Sequence, residues 1–430
     1  MDVRRITTIR GPLDALVQAT PSKSVTHRAL VAAALAEGES TLRRPLDASD
    51  TRATRDGLNA LGLSVRVVGE DWVVQGGAGR VRGGGKLALG ESGTTLRFLT
   101  AVAALGQAPS RLDGAPRLRE RPLAELIGGL ARLGAAVRAD PSSGGLPLVA
   151  GGAPVPGGSL GLAGARSSQF ASALLLIGPH LGRGIDLAVE PPAVSLPYVA
   201  LTEQVLAAFG AKIERQSEFS WRVAPGGYPG RVYAIEGDHS SASYFLAAAA
   251  LVGGRVRVRG LSPTSAQPDA RLATILGDLG CRVETGSDWV EVEGHGELEP
   301  FTLDLSDAPD LAPTMAVLAL IAKGPCVLQS IAHLRHKESD RLEVLARNLR
   351  MLGRHADALA DRLIVSGPPP CLGGGRVATA GDHRIAMAFA VLGLRLSGIE
   401  IEEPAVVGKS NPAFWEQLGA LERGSVTGSG

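Results

Sequence analysis

A helical stretch that ends in an apolar residue and a glycine recurs six times along this chain, closing at Gly62, Gly134, Gly210, Gly280, Gly353 and Gly419. The local sequences are LNALG, LARLG, LAAFG, LGDLG, LRMLG and EQLG, and the steps between glycines are 72, 76, 70, 73 and 66 residues. Self-similarity at a fixed period means that one structural unit is used repeatedly. The 430 residues therefore divide into six copies of a unit of about seventy residues. Glycine at this place is the expected helix C-cap, because it enters the left-handed region without a Cβ penalty.

After each of the first five glycines the sequence alternates, turns and alternates again, as in CRVETGSDWVEVEG after Gly280, which predicts a β-hairpin. Gly419 has no hairpin after it, while the N-terminus, VRRITTIRGPLDALVQA, reads as a hairpin with no helix before it. The two ends together complete one unit. Six units split into two lobes of three, one spanning 21–236 and the other 237–430 with 1–20, and the crossings near 20 and 236 are expected to be hinges.

Each unit also carries an earlier helix that is apolar nearly all round and so predicted to be buried. These helices start at PSKSVTHRAL, ESGTTLRFL, RSSQFASAL, DHSSASYFL, DAPDLAPTM and GDHRIAMAF. Their caps hold most of the unusual polar residues: Ser22, Lys23, Ser24 and Arg28; Ser92, Gly93, Thr94, Thr95 and Arg97; Ser167, Ser168 and Gln169; Asp238, Ser240 and Ser241; Asp310; Asp382, His383 and Arg384. Helix N-termini attract phosphate and carboxylate, so equivalent starts aimed alike by both lobes would form an anion trap. Ser, Thr and Asp are also ordinary N-caps. Cations at a helix start are not, because they oppose the dipole unless an anion lies between, and Lys23, Arg28, Arg97 and Arg384 are of this kind.

The loop before each glycine-closed helix adds Arg121, Ser195, Tyr198, Lys337, Glu338, Asp340, Arg341 and Lys409. In KESDR the opposite charges three or four residues apart also suit a solvated helical face. His333 and His336 lack a third ligand, and GESGTTLR lacks the G-K-[ST] ending of a nucleotide phosphate loop, so no metal and no nucleotide cofactor is expected. Cys281, Cys326 and Cys371 are too scattered for a disulfide framework or zinc ribbon. A formal charge of +1 gives a nucleic-acid partner no global support. The charged N-terminus and the lack of a long apolar run point to a cytoplasmic protein that binds no membrane.

Ten ordered blocks bear a family resemblance: PSKSVTHRAL, LGESGTTLRF, LRERPLAEL, RSSQFASALL, SLPYV, IEGDHSSASYFLAAAA, PDLAPTMAVLA, HLRHKESDRL, GDHRIAMAFA and VVGKSNPAFWEQL. Along nearly its whole length the chain resembles the enolpyruvylshikimate phosphate synthases, the 3-phosphoshikimate carboxyvinyltransferases. The resemblance implies an α+β, two-lobe inside-out α/β barrel, each lobe three repeats of a βαβαββ unit. It implies transfer of the enolpyruvyl group of phosphoenolpyruvate to shikimate 3-phosphate with release of phosphate, by a monomer without cofactor. By the same resemblance Lys23, Gly93, Thr94, Arg121, Gln169, Arg341, His383, Arg384 and Lys409 match the phosphoenolpyruvate positions, with Gly93 and Thr94 in the loop where glyphosate competes. Ser24, Arg28, Ser167, Ser168, Gln169, Ser195, Tyr198, Asp310 and Lys337 match the shikimate phosphate site, and Lys23, Asp310 and Glu338 the acid and base candidates.

Two substrates that each carry a carboxylate and a phosphate need several fixed cations, which favours Arg. The chain departs from the family pattern at His27, Glu91, Phe98 and His333, where Asn, Asn, Pro and Asn are usual. Two rival readings remain: the related transferase acting on UDP-N-acetylglucosamine, although no cysteine lies between residues 1 and 280 for its mobile loop, and a non-enzymatic repeat scaffold that would have little use for Asp310 or Glu338.

Overall fold

The structure is a computed structural model that describes residues 2–140, 145–367 and 373–423. Cys371 lies outside the described residues, whereas Cys281 and Cys326 are free thiols. The chain folds as two compact units, one of Pro21–Ile235 and one of Met1–Thr20 with Glu236–Gly430.

In the Pro21–Ile235 unit three helices, Lys23–Leu35, Gly93–Ala104 and Ser168–Ile177, pack on one another. Every residue of the first from Val25 to Leu35 is buried. Alanines at 29 and 32–34 allow close helix approach, and leucines at 30 and 35 fill the spaces between. Three four-stranded sheets surround these helices, and each has one parallel pair followed by an antiparallel hairpin. The last strand, Val232–Ala234, returns to pair with Glu37–Arg43, with Tyr233 opposite Leu42.

The other unit repeats the plan with His239–Val252, Ala312–Ala319 and His383–Gly393 as the mutually packed helices. Phe245, Phe389, Phe414 and Met315 fill its core, and truncating one such buried ring costs about 3 to 5 kcal/mol. In both units the sheets stay separate, with helices inside and strands outside, so each unit is inside-out without a closed barrel of strands.

The repeated glycines do what their positions suggest in five cases: Gly62, Gly134, Gly210, Gly280 and Gly353 have φ of 88, 89, 93, 93 and 85°, and an antiparallel hairpin follows each. Gly419 differs. It is buried within the Phe414–Glu422 helix, which continues past it. The N-terminal segment also differs from the expected hairpin, because its two strands do not pair with each other. Val3–Arg5 pairs with Glu400–Glu402, and Leu13–Gln18 runs parallel to Gly254–Arg259. Each strand completes a different sheet, so the sixth sheet has three strands. No helix among the described residues is long and apolar enough to cross a membrane.

Candidate active site

Five of the six buried helices begin at a side-chain N-cap. Ser22, Ser92, Ser167, Asp238 and Asp382 accept from the backbone N–H of the second or third helical residue, each worth about 0.5 to 2 kcal/mol. The remaining helix starts instead from the 3-10 turn Pro309–Leu311, which carries Asp310.

In the Glu236–Gly430 portion two of the three starts, those with Asp310 and Asp382, converge on one arginine. Arg341 is 1% exposed and holds three carboxylates: Nε to Asp382 Oδ2 at 2.7 Å, Nη1 to Asp310 Oδ1 at 2.9 Å and Nη2 to Glu338 Oε2 at 2.8 Å. Arg384 Nη2 donates to the other oxygen of Asp310 at 2.7 Å, and the Ser339 hydroxyl donates to Asp382 at 3.2 Å. Burial alone would raise the Asp310 pKa, but Arg384, Lys337 and Arg341 outweigh it and hold the carboxyl far below its usual range. Burial likewise opposes the charge on Arg341, yet Asp382, Glu338 and Asp310 fix it in the cationic form. His383 is buried beside Asp382, and His333 is kept neutral, at about 3, first by burial and then by Lys337. Lys409, 6% exposed, ends the 3-10 turn Pro404–Lys409.

In the Pro21–Ile235 unit the cations have different partners. Lys23 Nζ lies 3.2 Å from Asp50 Oδ2, both nearly buried. Arg28 donates to Thr202 Oγ1 at 2.8 Å, Ser24 O at 2.9 Å, Tyr198 O at 3.0 Å and Ser172 Oγ at 3.3 Å, with its guanidinium over the Phe98 and Tyr198 rings. Burial pulls its pKa down to about 10, so it remains charged at neutral pH. Arg97 donates to Gly93 O and Pro122 O. A Cβ on Gly93 would stand 2.5 Å from the Arg121 guanidinium, so this helix start must be glycine for Arg121 to lie against it. Gln169 donates to Thr94 Oγ1 at 3.1 Å, while Ser167 and Ser168 occupy the cap and first position of the same helix. Ser195 adopts φ 58° and its carbonyl accepts from Tyr198 N.

One sequence expectation changes. Lys23 and Arg384 have protein carboxylates beside them, and Arg28 and Arg97 have carbonyls and hydroxyls, so the helix-dipole conflict does not by itself require a bound anion. Asp50 escaped notice because an acid in the first turn of a helix reads as a dipole partner; only its spatial nearness to Lys23, 27 residues earlier, marks it. His27 stands 2.8 Å from Thr54 Oγ1, which meets Thr95 Oγ1 at 2.7 Å, and Thr95 in turn donates to the Asp50 carbonyl. Burial first, then Lys23 and Arg28, keep His27 neutral, so the unusual residue serves a polar ladder beneath Lys23.

One buried guanidinium, Arg341, thus bridges three carboxylates, and Arg384 at a helix start pairs with one of them. The family model described as EPSP synthase (3-phosphoshikimate 1-carboxyvinyltransferase) matches residues 7–418. A 3-phosphoshikimate 1-carboxyvinyltransferase of Methanosphaerula palustris is 44% identical over 414 residues, covering 95% of this chain and 97% of the relative. That of Nostoc punctiforme is 36% identical, covering 97% and 99%. Among solved structures, EPSP synthase from Acinetobacter baumannii superposes with a TM-score of 0.80 at 27% identity over 97% of each chain. The enolpyruvyl transferase NikO from Streptomyces tendae shares the fold alone, with a TM-score of 0.75 at 18% identity over 97% of each chain. The chain belongs to the EPSP synthase family.

Proposed function

We infer that this protein is a 3-phosphoshikimate 1-carboxyvinyltransferase, which transfers the enolpyruvyl group of phosphoenolpyruvate to the 5-hydroxyl of shikimate 3-phosphate and releases phosphate, a step of aromatic amino acid biosynthesis. The observation that carries the chemistry is the Asp310 carboxylate, gripped by Arg341 and Arg384 with Glu338 on the same arginine. The addition must take a proton from the attacking hydroxyl and deliver one to the methylene carbon. Asp310 is the base and Glu338 the proton carrier, and Lys23 protonates the departing phosphate.

A carboxylate held this far below its ordinary pKa is a weak base. The donor's own anionic groups resolve the conflict: once Arg341 and Arg384 also serve the phosphoenolpyruvate carboxylate, they pull less on Asp310, whose proton affinity rises when it is needed. Lys23, Gly93, Thr94, Arg121, Gln169, His383 and Lys409 complete the donor set. Ser24, Arg28, Ser167, Ser168, Ser195, Tyr198 and Lys337 take the acceptor. The Arg28 clamp supports this assignment, since four neutral acceptors fix its fork without cancelling its charge. One chain in the cytoplasm supplies every group the reaction uses, and no step calls for a metal or cofactor.

Phosphate release with both substrates, and with each omitted in turn, tests the reading. Release that requires both supports it. Release with UDP-N-acetylglucosamine and none with shikimate 3-phosphate would reverse the choice of acceptor.

A further inference from the structure

A buried helical threonine can satisfy its hydroxyl on a carbonyl one turn back, as Thr26 does on Ser22 O and Thr100 on Leu96 O, both at 2.7 Å. Thr95 does not. Fully buried in the first turn of the Gly93–Ala104 helix, it directs its hydroxyl to the Asp50 carbonyl at 3.0 Å, 45 residues earlier, and to Ser92 Oγ, the cap of its own helix, at 2.7 Å. Asp50 lies in the first turn of the Ser49–Ala60 helix, and its Oδ2 stands 3.2 Å from Lys23 Nζ, at the start of the Lys23–Leu35 helix. One hydroxyl therefore ties the helix start that carries Gly93 and Thr94 to the residue that holds Lys23.

The contacts also fix which way the protons run. Thr95 has a single hydroxyl proton, and it goes to the Asp50 carbonyl and the Ser92 oxygen. Its own oxygen then accepts from Thr54 Oγ1 at 2.7 Å, and Thr54, with its proton spent, accepts from His27 Nδ1 at 2.8 Å. His27, which burial keeps neutral, is thereby the Nδ1–H tautomer; its Nε2 has no hydrogen-bond partner among the described residues and carries the lone pair. The relay from His27 through Thr54 to Thr95 runs across three helices in one direction, and each bond polarises the next.

We propose that Thr95 is a positioning residue for phosphoenolpyruvate: it pins the Gly93–Thr94 helix start to Asp50, and through Asp50 to Lys23, with Thr54 and His27 aiming its hydroxyl. The proposal rests on the donor-binding roles given to Lys23, Gly93 and Thr94 above. Binding groups must be held by a supporting shell, because a small misplacement is costly. The acceptor clamp has a separate support, since Arg28 is fixed by Thr202, Ser24, Tyr198 and Ser172. Loss of the pin therefore weakens the donor selectively.

The test is the KM for each substrate, with the other saturating, in the wild type, Thr95→Val and Thr95→Ser. Thr95→Val keeps the shape and deletes the hydroxyl, so the KM for phosphoenolpyruvate should rise about threefold to tenfold, the effect of one hydrogen bond, with the KM for shikimate 3-phosphate unchanged. Thr95→Ser keeps the hydroxyl and should retain wild-type values. A merely structural role would lower Tm without moving the ratio of the two KM values, and an unmoved ratio in Thr95→Val overturns the proposal. Nitrogen NMR of His27 in the wild type gives an answer even if Thr95→Val fails to fold. An Nδ1–H imidazole supports the relay, whereas an Nε2–H imidazole reverses it, takes the Thr95 proton from Asp50 and overturns the proposal. Lys23→Ala separates the two levels: a raised KM for phosphoenolpyruvate there with none in Thr95→Val defeats the Thr95 proposal alone, while an unchanged KM defeats the donor-binding reading of Lys23 and the proposal with it.

Discussion

The charged clusters of the two units neutralise their cations in opposite ways. Around Arg341 and Arg384 the partners are carboxylates, Asp310, Glu338 and Asp382, so the cluster is nearly balanced and reads as reactive. In the Pro21–Ile235 unit Arg28 and Arg97 donate to carbonyls and hydroxyls, and Lys23 lies beside a carboxylate, Asp50. Neutral acceptors fix a guanidinium in place and leave its charge to act outward. The first arrangement suits proton transfer, and the second suits the capture of phosphate and carboxylate.

Variants should separate these roles. The largest effect is expected from Asp310→Asn and Glu338→Gln, which should lower turnover by roughly two to four powers of ten with both substrates still binding. Near-normal steady-state rates in both would remove the carboxylates from the chemistry and with them half of the contrast. Next, Arg341→Ala leaves three carboxylates without their shared cation and should destabilise the fold by about 3 to 5 kcal/mol in denaturant titration. Arg28→Ala, which breaks hydrogen bonds to neutral partners, should cost less stability but more shikimate 3-phosphate affinity. Equal stability losses would mean that the two clusters do not differ in kind.

Acid should tell the clusters apart as well. The folded pKa of Asp310 is depressed, so its contribution to stability is complete above the unfolded value of about 3.9 and is lost as pH falls toward the folded one. The stability gap between wild type and Asp310→Asn should therefore shrink as pH falls from 5 to 2.5, and a constant gap would argue against a strongly depressed pKa. Lys23→Ala should raise the KM for phosphoenolpyruvate far more than it lowers Tm; an unfolded variant would make the Lys23–Asp50 pair structural. The smallest change is expected from Gln169→Leu, which deletes one hydrogen bond to Thr94 and should cost about 0.5 to 1.5 kcal/mol, read as a modest rise in KM.

The sequence by itself determined what is local. The five left-handed glycines, the hairpins after them and the caps Ser22, Ser92, Ser167, Asp238 and Asp382 depend on backbone conformation and on side chains a few residues away, so their spacing announces them. Gly419 misled because the same tripeptide can end a helix or lie inside one, and the packing of the Phe414–Glu422 helix decides which. The motif match also named the charged residues, since a family's chemistry is written in residue identities. Only the tertiary structure decided their partners: Arg28 with Thr202, 174 residues on, Arg384 with Asp310, 74 residues back, and Lys23 with Asp50. It also sent the two N-terminal strands to separate sheets. The physical reason is the range of the forces. Caps and turns are set within one turn of backbone, whereas an ion pair or a shifted pKa depends on which distant segments share a low-dielectric interior, and that is fixed only when the chain has closed on itself.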